Sequence, residues 1–198
     1  CPLARDCAER SRGTKSNGRR GSTSSAGAHA PRTRLSTRAS PWAGGEQVPE
    51  PFRSLLVHDN DMTPTLESFY NADIHLEIIS RHHLAETYLR EVVLRLERDD
   101  AAVEFGANKI HLARFPVEAR ELILGEHVPL GRILQDCAVR HRTRVQVFLR
   151  VESDPVMTDA FELREPTVLY GRKAVISDLQ GRPLSEIVEI LPPADRAA

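Results

Sequence analysis

The sequence predicts an α+β fold in which an antiparallel sheet of six strands carries helices on one side. Three observations predict it: runs whose apolar residues alternate at period two outnumber the helical ones, the runs are close enough to pair through hairpins, and two amphipathic stretches lie side by side in the middle of the chain.

In chain order, Phe52 to Val57 reads as a short helix or turn packing Leu55 and Leu56 inward, and Thr63 with Pro64 opens a helical turn through Phe69. Ile74 to Ser80 alternates as a strand with Ile74, Leu76 and Ile78 on one face. Leu89 to Leu96 does the same, placing Arg90, Val92 and Leu94 together on one face. After a turn at Asp99 and Asp100, Val103 to Arg114 is the third strand. Pro116 to Leu124 is amphipathic, with Val117, Leu122 and Ile123 as its stripe, and a second helix after Pro129 repeats Leu130, Ile133, Leu134 and Cys137 at spacings of three and four. Three more strands follow at Arg144 to Val151, Pro166 to Ser177 and Leu184 to Leu191, the last two joined by a hairpin connection, DLQGR, at Asp178 to Arg182.

The chain of 198 residues is 40% hydrophobic and 28% charged, which suits one globular domain plus a tail. Residues 1–50 are rich in Arg, Ser, Thr, Gly, Ala and Pro and poor in aliphatic side chains, so they bury too little surface to offset the entropy of ordering and read as a disordered basic tail. That tail holds nine Lys or Arg against four acids, about +5, while the rest holds 18 against 24, about −6. An acidic domain that takes an anion must concentrate particular arginines in a pocket, because its overall field repels the ligand. The Arg- and Ser-rich start also resembles an organelle transit peptide. A first residue that is Cys rather than Met, and the lack of an amphipathic helix, favour a fragment end or mis-assigned start instead. Without aromatics beyond Trp42 in the tail, nucleic acid is not expected as a partner.

Cys1, Cys7 and Cys137 show neither metal-ligand spacing nor a CxxC pair, which points to a reducing compartment. No run reaches the roughly 18 apolar residues of a membrane span, so the expectation is a cytoplasmic protein without a membrane partner, a monomer or weak dimer. No P-loop, dinucleotide fingerprint, HExxH or GxSxG elbow is present, and no cofactor is expected. His82 and His83 read as surface loop residues between two strands, and His58 with Asp59 and Asp61 lacks a second ligand pair, so no metal is expected.

Four stretches in succession, LLVHDNDMTPTLE from Leu55 to Glu67, LREVVL from Leu89 to Leu94, PLGRIL from Pro129 to Leu134 and LYGRKAVISDLQGRPLSEIVEILP from Leu169 to Pro192, resemble motifs of the chorismate pyruvate-lyase family. The resemblance runs from residue 52 to 193 and implies a catalytic domain over 51–198, with helical flaps closing over an internal site. It implies cofactor-free elimination of pyruvate from chorismate to give 4-hydroxybenzoate. By the same resemblance Arg90 and Glu189 are the catalytic pair, and Met62 and Leu130 are flap residues that complete the substrate site. One residue of difference in the last hairpin leaves Glu186 as the runner-up; alternation puts Glu189 with Ile187 and Leu191, and Glu186 with Val188 and Ile190.

These residue types suit the implied chemistry. A guanidinium pairs with a carboxylate through two parallel hydrogen bonds, and a Glu on an inward face keeps its proton to higher pH than an exposed one. Pro129 before a helix start leaves unpaired N–H groups near Leu130, while Gly131 and Gly171 permit close approach of neighbouring backbone. The bland alternatives are that Arg90 and Glu189 form a structural ion pair and that Met62 and Leu130 are plain core. A second functional reading is a non-catalytic binder of an aromatic acid, related to the ligand-sensing domain of bacterial transcription regulators. Against it stands the absence of helical periodicity for a DNA-reading half in residues 1–50.

Overall fold

The computed structural model describes the backbone of residues 40–42 and the whole of residues 44–194. The strands are β1 (Ser40–Trp42), β2 (Ile74–Leu84), β3 (Thr87–Leu96), β4 (Ala102–His111), β5 (His141–Glu152), β6 (Val168–Asp178) and β7 (Pro183–Leu191). The helices are α1 (Phe52–Leu56), α2 (Met62–Tyr70), α3 (Val117–Gly125), α4 (Leu130–Asp136) and α5 (Pro155–Ala160). Six long strands and the three-residue β1 make one antiparallel sheet in the order β1-β5-β6-β7-β4-β3-β2.

Local chemistry sets the connections. Asp178 closes the β6–β7 turn by accepting from the backbone N–H of Gln180 and of Arg182, both at 2.9 Å. Gly181 in that turn has φ of 80°, a conformation that disfavours any side chain. Asn71 ends α2 at φ 48°, and Asn tolerates this left-handed cap better than most residues.

Alternation divides the sheet into two buried faces. On one, Tyr88, Val92, Leu94 and Leu96 of β3 meet α1, α2, α3 and α4, through clusters that include Leu56, Leu66, Ile123, Ile133 and Leu134. Leu56 and Leu66 have no exposed surface, and burial of each such side chain contributes about 1.5–3 kcal/mol. On the other face, Val93, Phe105, Leu169 and Ile190 pack against Met157 and Ala160 of α5 and against Phe161. The α+β class and the six-strand antiparallel sheet expected from the sequence are present.

Several local expectations are corrected. The pair His82 and His83 is not in a loop: β2 continues to Leu84, and both side chains are exposed on this edge strand. In α3 the buried residues are Ala119 and Ile123, while Val117 and Leu122 face solvent; the contact stripe follows the spacing of four that begins at buried Phe115. The helix α5, on the face opposite α1–α4, has no counterpart in the sequence reading; at six residues it is too short to show periodicity. Within the expected tail, residues 1–39 lie outside the described residues. The backbone of Ser40–Trp42 pairs with β5, and Val48 joins the core, so the folded region begins ahead of residue 51.

Candidate ligand-binding site

The site is built on rows of side chains that cross the inner face of β3, β4, β7 and β6. In one row Arg90 stands opposite Asn108, which stands opposite Ile187. In the next, Val92, Gly106, Glu189 and Arg172 are successive neighbours. In the third, Leu94 faces Glu104. Gly106 sits at the centre. A Cβ there would lie 3.1 Å from both Glu104 Oε1 and Val92 Cγ2, so the missing side chain keeps open the space that its neighbours surround.

Above these rows, Met62 starts α2 and Leu130 starts α4, and both are buried. The two helices meet where Gly131 passes Thr63: a Cβ on Gly131 would lie 3.0 Å from Thr63 Oγ1. Between the helix starts and the sheet lies a cavity of about 40 Å³, lined by Met62, Arg90, Glu104, Asn108, Leu130 and Glu189, with apolar walls that include Leu76, Leu94 and Ile176. That volume holds a few waters, less than a ring-bearing ligand occupies.

Arg90 is 2% exposed, and among the described residues its Nε and Nη1 have no hydrogen-bond partner. Burial pushes its guanidinium down to about 10, against the pull of Tyr88 and Glu126. Glu126 is itself engaged, accepting from the Tyr88 hydroxyl at 2.5 Å and from Arg81. Arg172, with no exposed surface, is fully occupied. Its Nε donates to Glu189 Oε2 at 2.5 Å, and its other nitrogens donate to the carbonyls of Leu56, His58 (2.8 Å) and Asn60 (3.0 Å). Arg172 thereby ties the segment that leads into α2 to the sheet.

The carboxyls differ in state. Burial raises Glu189, although the adjacent Arg172 opposes it. Glu104, 4% exposed and with Oε2 unpartnered among the described residues, is pushed well above the usual range by burial and by the nearby Glu189 charge, against the pull of Arg172. Burial would also raise Asp61, but hydrogen bonds from His141 (2.8 Å) and Thr143 (2.6 Å) hold it below its ordinary value.

The structure places Arg90, Glu189, Met62 and Leu130 on one cavity. Glu186 lies elsewhere: it belongs to the opposite face of β7 and accepts from Lys109 at 2.9 Å. Arg90 and Glu189 are not an ion pair, since Glu189 is held by Arg172. Sequence reasoning missed Arg172, Glu104, Asn108 and Asp61. Glu104 and Asn108 flank Gly106 at period two in a strand, the signal that could have marked them. Among the described residues, no group of three or more His, Cys, Asp or Glu could hold a metal ion, and no helix is long and apolar enough to cross a membrane.

No family model matches the chain, and no curated protein matches it. Solved structures do. The effector domain of PhnF from Mycobacterium smegmatis matches with a TM-score of 0.53 at 10% identity, over 70% of this chain and 92% of that one. Another structure of PhnF from the same organism matches with a TM-score of 0.52 at 10% identity, over 82% and 91%. A transcriptional regulator of the GntR family from Bacillus cereus matches with a TM-score of 0.43 at 14% identity, over 61% and 92%. At such identities the likeness shows the fold alone. The membership in the chorismate pyruvate-lyase family that the four motifs implied is corrected: neither a family model nor a curated protein supports it, and the solved structures that share the fold include the effector domain of PhnF. Those motifs fall on strands and helix starts of the fold.

Proposed function

We propose that this domain is a ligand-sensing module that binds a small organic acid, its anionic group on Arg90 and its apolar body between the sheet and the starts of α2 and α4. The observation that carries the reading is the buried guanidinium of Arg90, whose Nε and Nη1 have no partner among the described residues, on a cavity with apolar walls. Burying a charge without a partner costs several kcal/mol, so such a group destabilises the ligand-free state, and an anion that pairs with it recovers that free energy. Arg suits this task because its planar fork binds a carboxylate in two parallel hydrogen bonds.

The likeness to the effector domain of PhnF supports a sensing role over turnover. So does the geometry: the cavity is smaller than a ring-bearing ligand and lies under the starts of α2 and α4, and a helix displaced by a ligand is a readable signal. The walls supplied by Leu76, Val92, Leu94, Ile176 and Ile187 favour a ring or branched hydrocarbon body, the aromatic acid of the second sequence reading.

The test is calorimetric titration of the full chain with benzoate, 4-hydroxybenzoate and cyclohexanecarboxylate, repeated on Arg90→Ala. Saturable binding to at least one acid, weakened about tenfold or more by the substitution, is the expected result. Equal binding by both proteins, or none by the native chain, removes the proposal.

A further inference from the structure

A second unpartnered polar group faces the same cavity. Glu104 is 4% exposed, its Oε2 has no hydrogen-bond partner, and it lines the hollow two rows along the sheet from Arg90, across Val92 and Gly106. Resting on the organic-acid reading, we propose that Glu104 is the second recognition element of the cavity, donating a hydrogen bond from its buried carboxyl group to an uncharged oxygen or nitrogen at the end of the ligand away from the anion.

The groups around Glu104 decide its role. From β7 comes Glu189, whose charge is opposed by Arg172 of β6 through the 2.5 Å contact. From the residue before α2 comes Asp61, already satisfied by His141 and Thr143. From the start of α4 and the residue before it come Leu130, Gly131 and Pro129, none of which titrates. On β3 the cation is Arg90, in the far row. The Arg172 guanidinium draws Glu104 down, but Arg172 is already paired with Glu189; burial and the Glu189 carboxylate outweigh it, so the neutral acid is the stable form, in keeping with its raised pKa. A neutral carboxylic acid has one O–H to donate. With Arg172 matched by Glu189 and His141 by Asp61, the remaining balance of the cavity is the single positive charge of Arg90. The complement is therefore a monoanion with a neutral polar group opposite it; a second carboxylate would meet Glu104, Glu189 and Asp61 together.

The experiment compares four probes on the full chain: benzoate, 4-hydroxybenzoate, terephthalate and 4-(aminomethyl)benzoate, each titrated into the native protein, Glu104→Gln, Glu104→Leu and Arg90→Ala. In the native protein 4-hydroxybenzoate should bind about tenfold tighter than benzoate, and terephthalate weaker than either. Glu104→Gln, a neutral side chain of the same shape that still donates, should keep that preference, and Glu104→Leu should erase it. A preference that survives in Glu104→Leu, or tightest binding of the ammonium probe, overturns the role of Glu104 while the Arg90 reading stands. Benzoate binding indifferent to Arg90→Ala overturns that reading instead, and binding of none of the probes overturns both. A readout without ligand accompanies these: the infrared band of a protonated carboxyl near neutral pH should be present in the native chain and lost in Glu104→Gln, and an unchanged spectrum refutes the neutral acid.

Discussion

Arg172 and Glu189, neighbours across β6 and β7, form the buried ion pair of the site, Nε to Oε2 at 2.5 Å, and this pairing leaves Arg90 without a carboxylate of its own. One guanidinium holds the structure together and the other stands open to a ligand. The two roles predict opposite consequences for substituting similar side chains on the same face of one sheet.

Removing Arg172 strands a buried carboxyl and releases the carbonyls of Leu56, His58 and Asn60. Arg172→Met should therefore lower the unfolding free energy by about 3–5 kcal/mol, since breaking a buried pair from one side leaves an uncompensated charge. The double variant Arg172→Met with Glu189→Leu should recover a substantial part. Urea unfolding of the three proteins measures both, and a single variant that loses less than the double would contradict the pairing as the source of stability.

Replacing Arg90 should do the reverse. Its charge is buried without a partner, so Arg90→Met, a side chain of comparable length, removes a desolvation penalty and should raise the stability of the ligand-free protein by about 1–3 kcal/mol. The same variant should no longer gain thermal stability when benzoate is added. A destabilised Arg90→Met protein would mean that the native guanidinium makes interactions that support the fold.

Much of the architecture was readable because it rests on short-range patterns. The alternation that put Arg90 with Val92 and Leu94 is the same alternation that brings Arg90 to the inner face, and the apolar repeat of Leu130, Ile133 and Leu134 is the buried face of α4. Glu189 was separated from Glu186 by its parity with Ile187 and Leu191, and the structure puts the two on opposite faces of β7. What could not be read were exact register and contacts between distant segments. Arg172 and Glu189 sit on the two strands of the expected hairpin, but the register shift between Ile176 and Ser177 decides that they face each other, and nothing local says that the remaining Arg172 donors reach back to residues 56–60. Nor does local sequence reveal that Gly106 opens a hollow, because the space depends on Val92, Glu104 and Asn108 arriving around it. The family assignment failed for a related reason: short motifs specify inward side chains and helix starts, which many sequences of one fold share, and not the chemistry between them.

Gly106→Ala tests the hollow directly. The added methyl would lie 3.1 Å from Val92 Cγ2 and from Glu104 Oε1, tight contacts that a small shift of the Glu104 side chain relieves, so the fold should survive with a loss of about 1–2 kcal/mol. The methyl projects among the groups that line the cavity, and affinity for 4-hydroxybenzoate should fall by about tenfold or more. Unchanged affinity would place the ligand elsewhere.

The state of Glu104 makes a prediction for stability against pH. Its folded pKa is raised above the ordinary 4.5, so stability is fully present below that value and is lost as pH rises toward the folded pKa, because only the unfolded chain releases the proton in that interval. Glu104→Gln cannot ionise and escapes this loss. The other shifted groups near the cavity, Glu189, Asp61 and His141, are common to both proteins, so the difference between native and variant isolates Glu104 to the extent that its coupling to Glu189 is unchanged. Above the ordinary carboxylate range the advantage of Glu104→Gln in unfolding free energy should grow with pH, by up to about 1.4 kcal/mol per pH unit, and then level off once the folded protein also ionises. Denaturant unfolding of both proteins at a series of pH values measures the slope. A difference that does not change with pH would show that Glu104 ionises as readily in the folded protein as in the unfolded chain, and would locate a cation beside it.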